Sequence, residues 1–501
     1  MTATTKIERG LTAAAVILLL VFAGLCVTLF VDPHFRHLKD SAIYILAAKS
    51  LAAGGGYAYL GEPFFSRPPG LSYLLAPFAS STVDYGLINR GVQLLAMLGF
   101  GVVAGAFSRW HGWRSAVLVA LLYAVNTVTV GSFNSIMAEF PFMLLFFGGM
   151  WLLTPGADGE AVGWVRGLSG IVLLAAAQQF RSVALLAVVA LLLVELPRQG
   201  ARRWRALALA GLFALLCLPW ILHASRLASE APRPATQLLV FDYSTALLHV
   251  DSRDPDSSFV DLDGWLARAS SNGEAMASTV SGSLVGVSEG PLVVVVTTLL
   301  LAAMVFTWWR RRSTMDWTML AYLALLLLYF TFAERLLLPL IPMVLSSVVF
   351  TLEHLGGLWA KRSQRSECAR LPLAIVCVGL LASSLSQFPR ALGLDERDSE
   401  WQAVDLAVAS WLRENTSDDT VLLTERAAII ELLSGRRTYT FRNLPGAWPR
   451  DCPPVDLALI GPRSLRIEKR WQAAALDSTR FAVPWRADEP GGGVVRCYRL
   501  R

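Results

Sequence analysis

The chain has 501 residues, of which 54% are hydrophobic and only 16% charged, a balance that excludes an ordinary soluble enzyme. Its formal net charge of +6 does not point to nucleic acid. The basic residues fall in short clusters between apolar runs, which is how Lys and Arg set membrane topology.

Those runs are about 17 to 25 residues long, the length that crosses a hydrocarbon core of roughly 30 Å. Eleven spans are predicted, near 11–31, 87–108, 115–131, 140–154, 166–179, 182–196, 206–223, 290–308, 317–332, 336–352 and 371–388. The first, Leu11 to Val31, has the charged front of a signal peptide but no small-x-small cleavage site, so it reads as a retained span.

The following loop, 32–86, carries His37-Leu38-Lys39-Asp40-Ser41, then Tyr44, Gly54-Gly55-Gly56 and Ser66-Arg67-Pro68-Pro69-Gly70. An i,i+4 spacing puts Asp40 and Tyr44 on one face of a helix predicted over Ser41 to Ala53. Ala47, Ala48 and Leu51 extend an apolar underside that suits a membrane surface. The glycines end that helix. The Arg67-Pro68-Pro69 turn fixes the chain direction before Leu71 to Phe78 returns to apolar surroundings.

The fourth span opens at Met137-Ala138-Glu139-Phe140-Pro141, where a carboxylate suits a helix N-terminus. Gln178-Gln179-Phe180-Arg181 interrupts the next apolar stretch. A single helix there would bury an arginine at mid-length, at roughly 2.5–3.5 kcal/mol on insertion scales. Two short helices with Arg181 at the outer turn avoid that cost.

The clusters Arg109 and Arg114; Arg198, Arg202, Arg203 and Arg205; Arg310 to Arg312; and Lys361, Arg362, Arg365 and Arg370 belong in the cytoplasm with Lys6 and Arg9. Loops 32–86, 132–139 and 224–289 then face outward, together with the C-terminal segment. Residues 389–501 have a soluble composition: Trp401 to Leu412 has helical spacing, Thr420 to Leu423 and Asp456 to Ile460 read as strands, and Gly435 stops a helix. The expectation is a polytopic α-helical membrane protein, with eleven spans in 1–388 and a small extracytoplasmic α/β domain at 389–501. It would sit in the plasma (inner) membrane with its N-terminus cytoplasmic. Of six cysteines, Cys26, Cys217 and Cys377 lie in spans as small hydrophobes; Cys452 and Cys497 either pair outside or stay as two thiols.

An Asp shortly after the first span, a Tyr four later, a Gly-rich stop and an R-P-P turn together resemble the first outer loop of GT-C glycosyltransferases. The nearest branch is the protein O-mannosyltransferase and lipid A aminoarabinose transferase relatives. Ala138-Glu139-Phe140-Pro141 is similar to that family's acid-plus-Pro opening of the fourth span, and Phe180-Arg181 resembles its basic break. Ala333-Glu334-Arg335-Leu336-Leu337-Leu338-Pro339-Leu340-Ile341-Pro342 resembles its E-R-Y-L-L-P-x-x-P segment, with Leu336 in place of Tyr. Asp40-Ser41 stands where many relatives have an acidic pair.

The resemblance implies a GT-C-like membrane fold and an enzyme that uses a polyprenyl-phosphate sugar donor. The sugar would pass to a glycan, lipid or protein acceptor at the outer face, with inversion and with no nucleic acid as partner. Asp40 and Glu139 would be the catalytic carboxylates, and Tyr44, Arg67, Arg181 and Arg335 would bind substrate. A divalent metal ion is left open as a cofactor.

Each residue also has a plainer reading. Asp40 could cap its helix, Glu139 could serve only the helix start, and each arginine alone could be an interface anchor. His34 and His37 lack the second cluster a metal site needs. The acids Asp251, Asp254, Asp256, Asp261 and Asp263 lack calcium-loop spacing and read as a solvated loop. The rival class is a transporter or lipid flippase. That class needs charged or broken helices at the bilayer midplane and usually repeated halves, whereas the charges here gather at span boundaries.

Overall fold

A chain in lipid must satisfy its backbone internally, which leaves helices as the economical solution for these apolar runs. The structure, a computed structural model, is mostly helical. It describes residues 16–36 apart from 18, 19, 23 and 27, 38–79 apart from 60, 83–155, 162–230, 247–250, 257–363, 371–391, 396–439 apart from 425, 456–460, 481–489 and 493–500. His37, Asp251, Asp254, Asp256 and Cys452 lie outside the described residues, and so does any pairing of Cys452 with Cys497. The described residues fall into two compact units. One lies within Met1–Pro33, Gly86–Leu222 and Ser258–Leu392, the other within His34–Tyr85, His223–Ser257 and Gly393–Arg501.

In chain order the helices are α1 (Lys39–Ala52), α2 (Gly70–Leu75), α3 (Tyr85–Ala124), α4 (Thr127–Gly131), α5 (Glu139–Leu153), α6 (Trp164–Gln178), α7 (Leu185–Glu195) and α8 (Ala201–Glu230). There follow α9 (Leu262–Val285), α10 (Pro291–Arg311), α11 (Thr314–Leu328), α12 (Leu340–Ser363), α13 (Leu371–Ala391), α14 (Glu396–Asn415) and α15 (Ala427–Ser434). Among the described residues, five helices are long and apolar enough to cross a membrane: α3, α8, α10, α12 and α13. Four more stretches, α5, α6, α11 and Ser182–Glu195, are apolar but shorter. Ile221, Val294, Leu299, Ile375 and Val378 on the long helices are exposed, which suits side chains that face lipid.

Two helices stand at the predicted spans 87–108 and 115–131: they meet within α3 at a kink at Gly112 (φ 69°), and the second ends at Ala124. The helix α9 lies within 224–289, which the sequence reads as an outer loop. Its sequence is too polar for a span, yet Asn272 Nδ2 lies within 2.6–3.2 Å of the carbonyls of Leu326, Leu327 and Tyr329 and shares its two protons among them at the C-terminus of α11.

The first unit is cored by Phe100, Phe107, Tyr123, Phe133, Phe140 and Phe147, all buried and linked by ring contacts such as Phe100–Tyr123 at 5.3 Å between centroids. A buried polar knot ties the end of the first apolar segment to α3. Asn89 Nδ2 donates to Asp32 O, Gln93 Nε2 to Asn134 Oδ1, and Asn134 Nδ2 to Phe30 O, at 2.8–2.9 Å.

Helices α5 and α6 form a hairpin whose close approach depends on glycine. A Cβ on Gly149 would lie 2.8 Å from Gly170 O, and one on Gly170 would lie 2.8 Å from Leu153 Cγ. Gly149→Val is therefore expected to force the pair apart at a cost of about 1–3 kcal/mol. Thermal unfolding in detergent would read this as a lowered Tm, and an unchanged Tm would mean that the contact is not tight.

In the second unit α1 buries Ile43, Tyr44, Ile45, Ala47 and Ala48, so the face predicted to lie on a membrane surface is covered by protein. Gly54 (φ 79°) and Gly56 (φ 74°) turn the chain out of the helix through left-handed backbone that L side chains resist. A short hairpin of β1 (Ala58–Tyr59) and β2 (Glu62–Pro63) follows. The C-terminal part adds β3 (Val421–Thr424), β4 (Arg437–Tyr439), β5 (Leu457–Ile460), β6 (Phe481–Glu489) and β7 (Gly493–Leu500) in the order β4-β3-β5-β7-β6. The strand β3 runs parallel to β4 and β5, and β7 is antiparallel to β5 and β6. Leu412 and Val408 of α14, Leu422, Ile430 and Leu457 make its buried core. α15 packs on α14 and also on α1.

Candidate active site

The six residues singled out from the sequence fall into two constellations, one in each unit. In the second unit, α1 begins at Lys39 after an extended Leu38 and carries Asp40 in its first turn and Tyr44 one turn later. Leu38 holds the N-cap position and no side chain caps it, so the plainer reading of Asp40 as the cap is not met. Arg67 Nη2 donates to Asp40 Oδ1 at 2.6 Å, and both side chains are about one-sixth exposed (17% and 16%). The Arg67 guanidinium also lies 5.4 Å from the centre of the Tyr44 ring, within cation–π range.

The Pro-Pro turn holds Arg67 in place. Tyr57 Oη donates to Arg67 O at 3.2 Å, and Ser72 Oγ on α2 donates to Tyr44 O at 3.1 Å. Asp40, Tyr44 and Arg67 are thus one contiguous group. The sequence indicated their types but not these supports, because Tyr57 and Ser72 carry no spacing signal.

In the first unit the hairpin α5–α6 brings the start of one helix and the end of the other to the same end of the pair. Glu139 opens α5, and its side chain is almost completely buried (3%). Arg181, in the predicted break after α6, donates from Nη2 to Glu139 Oε1 at 2.5 Å. Arg335, at a single turn of 3₁₀ helix (Glu334–Leu337) before α12, places Nε 3.6 Å from the same oxygen and donates from Nη1 to Met137 Sδ at 3.4 Å. Tyr322 of α11 sits beside Arg181 and donates to Leu336 O at 2.7 Å. Two guanidinium groups thus face one buried carboxylate. Guanidinium groups are suited to phosphate oxygens.

The site does not fit a cation. Among the described residues no group of three or more His, Cys, Asp or Glu could hold a metal ion, and Glu139 already faces arginines.

A further polar cluster escaped the sequence reading. Beside the Gly112 break, His111 lies 3.2 Å from Glu353 Oε2 and 2.8 Å from Ser346 Oγ, and Ser115 donates to Glu353. Arg311 bonds Asp316 and stacks against Trp110 at 4.7 Å. Ser313 and Asp316 form a reciprocal capping box at the start of α11. Only that box was readable, as a Ser three residues before an acid.

The chain shares its fold with two solved proteins. Among solved structures, ArnT from Cupriavidus metallidurans in the apo state matches with a TM-score of 0.62, at 14% identity over 97% of this chain and 98% of that one. The same protein bound to undecaprenyl phosphate matches at 0.60 and 15% identity, over 96% and 97%. The oligosaccharyltransferase AglB from Archaeoglobus fulgidus, in complex with an inhibitory peptide and a dolichol-phosphate, matches at 0.57 and 10% identity, over 97% and 74%. No protein-family model matches the sequence, and no curated protein sequence matches it.

Proposed function

We propose that this protein is a membrane glycosyltransferase that moves a sugar from a polyprenyl-phosphate donor to a cell-envelope glycan, lipid or protein acceptor. The observation that carries the reading is a fold shared along nearly the whole chain with ArnT, together with two acid–arginine constellations where that fold's resemblance expects them. Neighbours bound to undecaprenyl phosphate and to dolichol-phosphate support a lipid-phosphate donor. The transporter or flippase alternative gains no support from any of these likenesses.

The chemistry follows from the side chains. The donor's polyprenyl tail stays in lipid and its phosphate sits at the membrane surface. Asp40 accepts the proton of the acceptor hydroxyl as that oxygen attacks the anomeric carbon, a general-base contribution of typically 10²–10⁴-fold. The bond from the anomeric carbon to the phosphate oxygen breaks, and polyprenyl phosphate leaves with the electron pair. One direct displacement inverts the anomeric configuration. Arg67, beside Asp40, is suited to the charge that grows on the departing phosphate, and Arg181 and Arg335 form a second candidate for binding phosphate oxygens within their own unit. Glu139 orients Arg181 and Arg335, and Tyr44 braces Arg67. The basic clusters suit a cytoplasmic N-terminus, and with the eleven spans expected from the sequence the C-terminal segment would lie on the extracytoplasmic side of the plasma membrane.

Donor binding tests the phosphate half of this reading. Purified protein in nanodiscs should bind polyprenyl phosphate and not the corresponding polyprenol. Arg67→Ala should weaken that binding and slow transfer, whereas Arg67→Lys should keep part of both, because charge survives but the two-pronged contact does not. Equal binding of phosphate and alcohol would contradict the assignment, as would an Ala variant equal to the parent.

A further inference from the structure

We propose that a basic cleft among α5, α7 and α8, at the helix ends remote from Glu139, binds the phosphate headgroup of an anionic phospholipid. The site is separate from the Glu139 constellation and does not depend on the transferase reading.

Chain direction fixes where the cleft lies, within the first unit. Glu139 opens α5 and Arg181 follows α6, so those two ends share one constellation. The opposite ends are the finish of α5 at Leu153, the start of α6 at Trp164, the finish of α7 at Glu195 and the start of α8 at Ala201. At 1.5 Å per residue, the length of α6 separates the two levels by about 22 Å. α8 packs on α6 closely enough that a Cβ on Gly167 would lie 3.1 Å from Leu209 Cδ1.

These ends enclose an open cleft of about 410 Å³, lined by Leu153, Val162, Arg198, Arg202 and Arg205, and Glu195 is the one carboxylate among the described residues that line it. Gly200, at φ 75°, turns the chain between α7 and α8 and so brings Arg198 and Arg202 to the same opening. Arg198 Nη1 donates to Glu195 Oε1 at 2.9 Å. α8 has no acid in its first turn, where Arg202 and Arg203 stand instead. The helix dipole is positive at that end, so these cations add to its field, and a bound anion opposes both.

Arg205 is held at the edge of the cleft. Its Nη1 donates to Val162 O, and its guanidinium lies 5.3 Å from the centre of the Trp164 ring. Its Nε is buried and has no hydrogen-bond partner among the described residues. A buried N–H left unpaired is costly. A phosphate oxygen would satisfy it.

The rim selects a lipid over a soluble anion. Trp164 and Trp204, at the starts of α6 and α8, are 50% and 68% exposed, which suits indoles at the boundary between hydrocarbon and water. Val165, Leu193 and Leu196 are exposed as well. A phospholipid covers such a rim with acyl chain while its phosphate enters among the arginines, and basic pockets between membrane helices hold headgroups in this way. Arginines that only set topology need no shared cleft, yet three converge on this one. Three guanidinium groups facing one carboxylate favour a headgroup of net negative charge over a zwitterionic one. The bound lipid clamps these ends of α5, α7 and α8 together.

The test uses the full-length protein in detergent with added phosphatidylglycerol, phosphatidylcholine or inorganic phosphate. It reads Tm against lipid concentration and the lipid retained in native mass spectrometry. Phosphatidylglycerol should raise the parent's Tm and stay bound, and phosphatidylcholine should do much less. The double variant Arg202→Gln with Arg205→Gln should lose about 10- to 30-fold in phosphatidylglycerol affinity. Arg310→Gln with Arg312→Gln, in another basic cluster, should keep the parent's affinity. Should the first Gln pair fail to fold, Arg202→Lys with Arg205→Lys decides, because it keeps the charge and loses the fork. A smaller loss of affinity in the Lys pair supports the site, and undiminished affinity overturns it. Equal affinity of the parent and the Arg202/Arg205 Gln pair overturns it too, as does a parent that does not distinguish the two lipids. A rise in Tm with inorganic phosphate that matches the lipid's overturns the lipid assignment.

Discussion

Replacing Asp40 by Asn will cut transfer by about 10²–10⁴-fold, the usual loss when a general base is removed, while the protein still inserts and folds. The fold should survive because the side chain is partly exposed and does not cap α1. An amide oxygen can still accept from Arg67, so the turn at Pro68-Pro69 keeps its anchor. The base function cannot survive, because an amide does not take up the acceptor's proton at neutral pH. Steady-state release of polyprenyl phosphate, with yield and Tm as folding controls, measures both halves. Near-normal turnover by the Asn variant would move the base role to Glu139.

The second large effect concerns the buried pair. Arg181→Ala leaves the Glu139 carboxylate, 3% exposed, without its closest cation. Breaking a buried pair by removing one partner typically costs 3–5 kcal/mol. Part of that cost should be offset by Arg335 at 3.6 Å. Lost activity in this variant alone would therefore not separate a phosphate ligand from a structural anchor. The double variant Glu139→Gln with Arg181→Met does separate them. Replacing the pair by neutral groups of similar size should recover stability to within about 1 kcal/mol of the parent, yet donor binding and transfer should stay low. Recovery of transfer along with Tm would make the pair purely structural.

The parts of this fold that were legible in the sequence are those where local physics has one cheap answer. An arginine at mid-span is expensive, so the break at Gln178-Gln179-Phe180-Arg181 could be placed, and α6 does end at Gln178. Glu139 before an apolar run marks a helix start, and α5 begins there. Glycines after α1 and at Gly435 adopt left-handed backbone and stop their helices. The short apolar runs at 421–424 and 457–460 are strands.

Features set by distant partners were not legible. Asp40 and Arg67 are 27 positions apart and Glu139 and Arg181 are 42 apart, and no periodicity links such pairs. The helix α9 is held by packing and by Asn272 rather than by its own hydrophobicity. The β6–β7 ladder and the contact of α15 with α1 are tertiary outcomes.

Turnover of a lipid-phosphate sugar is the most direct measure of the central claim. Purified protein in nanodiscs would be given a panel of polyprenyl-phosphate sugars with a mixed envelope acceptor fraction, and the lipid products would be resolved by mass spectrometry. The account predicts time-dependent appearance of polyprenyl phosphate, a glycosylated acceptor of inverted anomeric configuration, and loss of both with Asp40→Asn. Intact donor across the whole panel, combined with its movement between leaflets in proteoliposomes, would contradict the account and identify a lipid transporter instead.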